Sequence, residues 1–265
     1  MQSETLPKPT LESKSIPLLL DWTLAHRENQ IRNLLDDPYG MLRVGNYEYA
    51  SKSGLLDEFY YDPETGSDGV IHILSGEAAS DENGTVIPIG FHHEPSAKFG
   101  PLDPTQTFVD NSRISNTAKA RKSFSQQPFE PYKAHVRIGG FKKMGRVIDP
   151  ETGSATLSEI ANGMFPKEYD GLAVLKAVSI ARNNLSVSTQ AIITQQGDKI
   201  VEGYAPMIDG KSLMRIRMLI DKSTGTIKTA YPIVKSGGIM KLSEILVNQC
   251  LSSPTDITVN NSKLV

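Results

Sequence analysis

Leu20, Leu24, Arg27, Ile31, Leu34 and Leu35 recur at helical spacing, apolar apart from Arg27, and the pattern stops at the Asp36-Asp37-Pro38 breaker, which predicts one amphipathic helix. Residues 42–50 and 59–61 have no such period and read as strand or irregular chain, ending in the turn Asp62-Pro63-Glu64-Thr65-Gly66. The same five residues recur at 149–153, and five residues make two independent turns rather than a structural repeat. Residues 95–131 are rich in Pro, Ser, Gln and Asn and predict a long loop. After it, His135, Arg137 and Gly139 alternate with Val136, Ile138 and Gly140, the period of a half-buried strand. Leu172, Val174, Leu175, Val178 and Ala181 form a helical face within 170–183. Three antiparallel strands are expected at 190–194, 200–204 and 213–220, and a turn at Ser223-Thr224-Gly225 leads into a fourth at 227–233. Residues 238–250 look like a closing helix. Separated helices and hairpin-linked strands without a βαβ rhythm indicate the α+β class. The expected division is a flexible lead-in at 1–15, a helical accessory region at 16–69, a main domain at 70–250 and a tail at 251–265.

Composition narrows the function classes. The chain has 265 residues, 38% of them hydrophobic, enough to bury a core. No apolar run approaches the roughly 18 residues of a bilayer span, so a soluble protein without membrane contact is expected, in the cytoplasm or exported to a target cell's cytoplasm. A single Cys250 excludes an internal disulfide framework and any multi-cysteine metal site. Net charge is −2, unlike proteins that coat nucleic acid non-specifically, but it is unevenly distributed. Ten acids face four bases between Asp21 and Asp68, whereas Arg113 to Arg146 holds nine Lys or Arg and one acid, Glu130. That basic segment is either a solvated face or a track for RNA phosphates.

Three of the five histidines fall within 22 residues: His72, His92 and His93. Histidine titrates near neutral pH and serves as base or acid there. RNA cleavage without a metal needs an imidazole to take the 2′-hydroxyl proton, a second group to protonate the leaving 5′-oxygen, and a cation for the phosphorane. The histidine segments are expected on neighbouring strands. A rival reading makes His72, His92, His93 and Glu94 metal ligands, but neither HExxH nor HxxxH spacing is present. His26 and His135 are expected to be structural.

The run His72-Ile73-Leu74-Ser75-Gly76-Glu77, then Gly90-Phe91-His92, and much later Thr229-Ala230-Tyr231-Pro232 resembles the EndoU ribonuclease family, which includes bacterial toxin domains and the coronavirus uridylate-specific endoribonuclease. Met164-Phe165-Pro166 followed by a helix resembles a further segment of the bacterial members, and the similarity spans about residues 70–234. The resemblance implies an antiparallel-sheet, RNase A-like domain with packed helices. It implies an endoribonuclease that cuts single-stranded RNA at uridines and leaves 2′,3′-cyclic phosphate ends. His72 and His92 take the acid and base roles, with His93 next in line for the base. The third residue is a lysine at the end of a V-x-I-x-G-x-x-K-like stretch, which favours Lys143, with Lys142 and Lys167 as alternatives. Tyr231 would lie beside the nucleotide, Thr229 would point the same way, and His93 and Lys142 are further substrate-binding candidates, whereas Lys228 should face solvent. Asn162-Gly163 stands where bacterial relatives commonly carry Ser or Thr. No cofactor is expected, although family members differ in their use of manganese. RNA is the expected partner, with a neutralising immunity protein if the chain is a toxin or effector. The alternative is a non-catalytic RNA-binding or protein-interaction module on the same fold.

Overall fold

The computed structural model describes residues 24–36, 45–80, 86–110, 129–148, 155–186, 191–234 and 239–241. Its helices are α1 (Leu24–Asp36), α2 (Asn46–Lys52), α3 (Gly69–Leu74) and α4 (Gly171–Asn183). Its strands are β1 (Glu77–Ser80), β2 (Val86–Ile89), β3 (Phe108–Val109), β4 (Tyr132–Ala134), β5 (Val136–Ile138), β6 (Phe141–Lys142), β7 (Met144–Ile148), β8 (Ala155–Glu159), β9 (Asn162–Met164), β10 (Ile192–Ile193), β11 (Lys199–Pro206), β12 (Ser212–Ile220), β13 (Ile227–Pro232) and β14 (Ile239–Lys241). Every ladder pairing is antiparallel, and the fold is α+β. Among the described residues no helix is long and apolar enough to cross a membrane.

The largest sheet runs β10-β11-β12-β13, with β14 also on β12. Alternation along β12 turns Met214, Ile216 and Met218 inward and Arg215 and Arg217 outward. The inward face shares one core with Val174, Leu175, Val178 and Ala181 of α4, with Ile31, Leu34 and Leu35 of α1, and with Val70, Ile71, Ile73 and Leu74 of α3. The region before residue 70 is therefore built into the same core as the histidine helix. A second cluster joins Phe91, Val109, Tyr132, Ala134, Val136, Ile138 and Met164. The segment 90–92 lies at this second core and connects it to α3.

Three expectations are corrected. Residues 46–52 are helical: the Asn46 side chain donates to the Leu35 carbonyl, Asp36 accepts from the Tyr47 N–H, and Ala50 is buried, so tertiary contacts create a helix that periodicity does not announce. The apolar run at 69–74, expected as strand, is also a helix. Asp68 caps it by accepting from the N–H groups of Val70 and Ile71, and Gly76 closes it by donating to the Ile71 carbonyl. Residues 239–241 form a strand on β12 where a closing helix was expected, and 242–250 lie outside the described residues. The expected loop 95–131 contains two 3₁₀ turns, Glu94–Phe99 and Pro104–Gln106, and the short β3, while 111–128 lie outside the described residues.

Candidate active site

His72 sits on the second turn of α3, and His92 follows the left-handed pair Gly90 (φ 75°) and Phe91 (φ 60°). The glycine is required: a Cβ at position 90 would lie 2.0 Å from the His72 carbonyl oxygen. That carbonyl accepts from the Phe91 N–H, and the Ile73 carbonyl accepts from the His92 N–H, both at 2.8 Å. The His92 carbonyl in turn accepts from the Phe165 N–H at 2.7 Å. Backbone bonds thus stitch the His92 segment between α3 and the chain after β9, and the two imidazole centroids stand 6.4 Å apart.

Each ring is oriented by a different acceptor. His72 Nδ1 is 3.0 Å from Glu77 Oε1, so with the carboxylate ionised Nδ1–H donates and Nε2 is left for other chemistry. His92 Nδ1 is 2.8 Å from the Gly163 carbonyl, which can only accept, so the proton is on Nδ1 and the Nε2 lone pair is free. Burial, then the Lys143 charge and then His72, push the His92 imidazole well below its ordinary value, so it is neutral near pH 7. The oriented, neutral imidazole is equipped to accept a proton. Tyr231 from β13 stacks on it, with centroids 5.3 Å apart and planes 24° from parallel.

Lys143 follows β6, and its ammonium donates to the Gly90 carbonyl at 3.1 Å. Burial pushes its pKa down to about 8. Of the three candidate lysines, it is the one seated against the histidine loop. Lys142 points elsewhere, with Nζ 3.7 Å from Glu159, and Lys167 pairs with Glu94 at 2.8 Å. His93 is likewise removed from the site. It is fully buried, its Nε2 donates to the Tyr169 carbonyl at 2.8 Å, and its Nδ1 accepts from the Ser96 hydroxyl at 2.7 Å. The doublet is thereby divided between one imidazole for the site and one for the interior. Thr229 is partly exposed on β13 opposite Leu219, two positions from Tyr231. Lys228, expected in solvent, instead bridges Asp198 and Asp221 at 3.0 Å each. The four-ligand metal reading does not assemble: Glu94 is taken up by Tyr132 and Lys167, and among the described residues no group of three His, Cys, Asp or Glu could hold a metal ion. His135 Nδ1 lies 3.7 Å from Glu159 Oε1, and the His26 side chain lies outside the described residues.

The sequence reading gave Glu77, Asn162 and Gly163 no role. Asn162 is buried, and its amide donates to the carbonyls of Gly90 and Phe91, both at 2.9 Å. A Cβ on residue 163 would come 2.3 Å from the Pro232 carbonyl oxygen, so β9 can press against β13 only with glycine there. The pair that departs from the Ser or Thr of the resembled family is thus the one that holds the histidine loop and fixes the His92 tautomer. Glu77 closes the quoted His-to-Glu run, and its spacing from His72 across a helix end is visible in the sequence once that run is read as helix and turn. No protein-family model, curated protein or solved structure matches this chain.

Proposed function

We propose that this chain is an endoribonuclease of the EndoU type, cleaving single-stranded RNA at uridines by transesterification without a required metal. The observation that carries this reading is the placement of His92: a buried imidazole whose Nδ1 lies 2.8 Å from a backbone carbonyl, with a second imidazole 6.4 Å away and the Lys143 ammonium bonded to the same loop. His92 Nε2 takes the proton of the ribose 2′-hydroxyl as that oxygen attacks phosphorus. The bond from phosphorus to the 5′-oxygen breaks, and His72, protonated on Nε2 and steadied through Nδ1 by Glu77, gives that oxygen its proton. Lys143 supplies the positive charge for the phosphorane oxygens in a site where burial strengthens it. The products are a 2′,3′-cyclic phosphate and a 5′-hydroxyl. Tyr231 stacks beside the sugar or base, and Thr229 is the nearest strand neighbour able to hydrogen-bond a base edge. A chain with this activity requires export or a neutralising protein partner in the cell that makes it.

The test is incubation of wild type, His72→Ala and His92→Ala with a uridine-containing RNA in EDTA, mapping the product ends. Cyclic phosphate ends in wild type, reduced at least ~10²-fold in both variants, are expected. A wild-type protein that binds this RNA and leaves it intact, even with manganese added, would sink the catalytic reading in favour of a binding module.

A further inference from the structure

Tyr231 stacks on His92, so the candidate site lies at the β13 margin of the outward face of the main sheet. Two cross-strand rows lead away from that margin. Tyr231 stands opposite Arg217 and Arg217 opposite Glu202, and in the next row Arg215 stands opposite Tyr204. Neighbouring strands are about 4.8 Å apart, which puts the arginine strand one spacing from Tyr231 and the Tyr204 strand two. On the other side of the Tyr231 row, Leu219 stands opposite both Ile200 and Thr229, so these three rows contain one acid, Glu202.

That acid is shared between both arginines. Glu202 Oε1 accepts from Arg217 Nε at 2.8 Å and from Arg217 Nη2, and Oε2 pairs with Arg215. One arginine would neutralise the carboxylate; the second leaves positive charge in excess. The excess lies where solvent reaches it, because the Arg217 side chain is 42% exposed and that of Arg215 27%, against 4% for Glu202. A guanidinium carries five N–H donors in a planar fork, and Glu202 holds the plane of Arg217 through two of its nitrogens, so the fork is pre-set for a phosphate. Tyr204, beside Arg215 on the same face, is partly exposed and supplies an aromatic ring.

We propose that this face is a second nucleotide subsite: Arg217 and Arg215 hold phosphates of the RNA strand that runs past Tyr231, and Tyr204 stacks on one of its bases. This rests on the ribonuclease reading above and extends it from the cleaved uridine to its neighbours. Contacts to phosphate and to the face of a base carry no sequence preference. The subsite therefore adds affinity for single strands longer than a dinucleotide and leaves the choice of base to the residues around His92. A duplex keeps its bases stacked on one another, so it cannot offer one to Tyr204.

The test is binding, read by fluorescence anisotropy, of a six-nucleotide adenosine RNA with one central 2′-deoxyuridine, which blocks cleavage, with the dinucleotide of 2′-deoxyuridine and adenosine measured as a competitor. Arg215→Gln and Arg217→Gln are each expected to bind the longer probe about tenfold more weakly and to reduce the slope of log affinity against log salt by about 0.7. The gain in affinity from two nucleotides to six should shrink with them. Tyr204→Leu is expected to lose about tenfold on the longer probe, and Tyr204→Phe, which keeps the ring, to recover most of it. Thermal melts separate a lost contact from a lost fold, and both Tyr204 variants are expected to melt within a few degrees of wild type. If probe binding follows these changes while wild type leaves cleavable RNA intact, the ribonuclease reading fails and the subsite stands. If the folded variants bind the longer probe with wild-type affinity and salt slope, or lose equally on both lengths, the subsite is overturned, whether or not the protein cuts RNA.

Discussion

His92 and His93 are neighbours in the chain and differ in what their ring nitrogens meet. His93 has both nitrogens bonded inside the protein, to Tyr169 and Ser96, and its pKa is lowered to about 4 by burial, which outweighs the raising effect of the Tyr169 carbonyl. A folded-state value depressed below the unfolded 6.5 means that the unfolded chain binds the proton first as pH falls. The stability this neutral ring permits is complete above about pH 6.5 and is lost progressively down to about pH 4, a difference of roughly 3 kcal/mol. His93→Gln, which keeps a donor for the Tyr169 carbonyl and cannot titrate, should flatten the fall in urea midpoint between pH 7 and 4.5; an unchanged slope would remove His93 from the acid response. Lys143 makes the opposite demand on activity. Its ammonium, lowered to about 8, is present at neutral pH and is lost as pH rises through that value, so turnover that uses its charge should fall on the alkaline side near pH 8. Lys143→Arg keeps the charge well above that range. Its kcat, whatever its absolute level, should show the alkaline limb displaced upward, and a limb that stays in place would assign it to another group.

The short α3 carries His72 because of one buried carboxylate. Asp68 caps the helix with two backbone N–H bonds and meets the Arg27 side chain of α1, whose guanidinium also lies 4.2 Å from the Tyr61 ring centroid. Asp68→Ala removes the cap and leaves a largely buried arginine without its carboxylate, an expected loss of roughly 3–5 kcal/mol. Asp68→Asn keeps the capping oxygen and should lose less. Equal urea midpoints for the two variants would mean that the cap contributes nothing and that the loss belongs to the Arg27 pair. This contact explains what sequence could and could not reveal. The α1 stripe was legible, and Arg27 on it was a charged residue on an apolar face, which is the mark of a buried pair, but its partner 41 positions away has no local signal. The α4 face and β11 to β13 were legible from period alone, because each buries one face against the same core. The run Val70-Ile71-His72-Ile73-Leu74 was misread as strand because β-branched apolar residues favour strands locally, whereas caps at Asp68 and Gly76 decide the outcome here. His72, His92 and Tyr231 could be singled out as candidates from the chain because their residue types and motifs stand out. Asn162 and Gly163 could not, since their roles come from backbone and ring contacts that only the fold brings to them, and Glu77 becomes legible only once its run is read as helix and turn.

At the scale of the molecule, the helical region before the histidines and the sheet after them are one packed unit. Ile31, Leu34 and Leu35 of α1 are fully buried in the cluster that contains Leu74 of α3 and Val174 and Leu175 of α4. The approach is close at the backbone too: a Cβ on Gly171, at the start of α4, would lie 2.6 Å from the Leu34 carbonyl oxygen. Deleting residues 1–45 would therefore uncover the faces of α3 and α4 that α1 covers and take away the arginine that meets Asp68. Three buried aliphatic side chains at roughly 1.5–3 kcal/mol each amount to a large share of the 5–15 kcal/mol that typically separates folded from unfolded chains. A protein beginning at residue 46 is expected to show no cooperative thermal transition and no cleavage, whereas one beginning at residue 16 keeps all of α1 and should melt like the full chain. If the shorter protein melts cooperatively and cuts RNA at the full-chain rate, then α1 is an accessory after all, and the cap at Asp68 must hold His72 without help from Arg27.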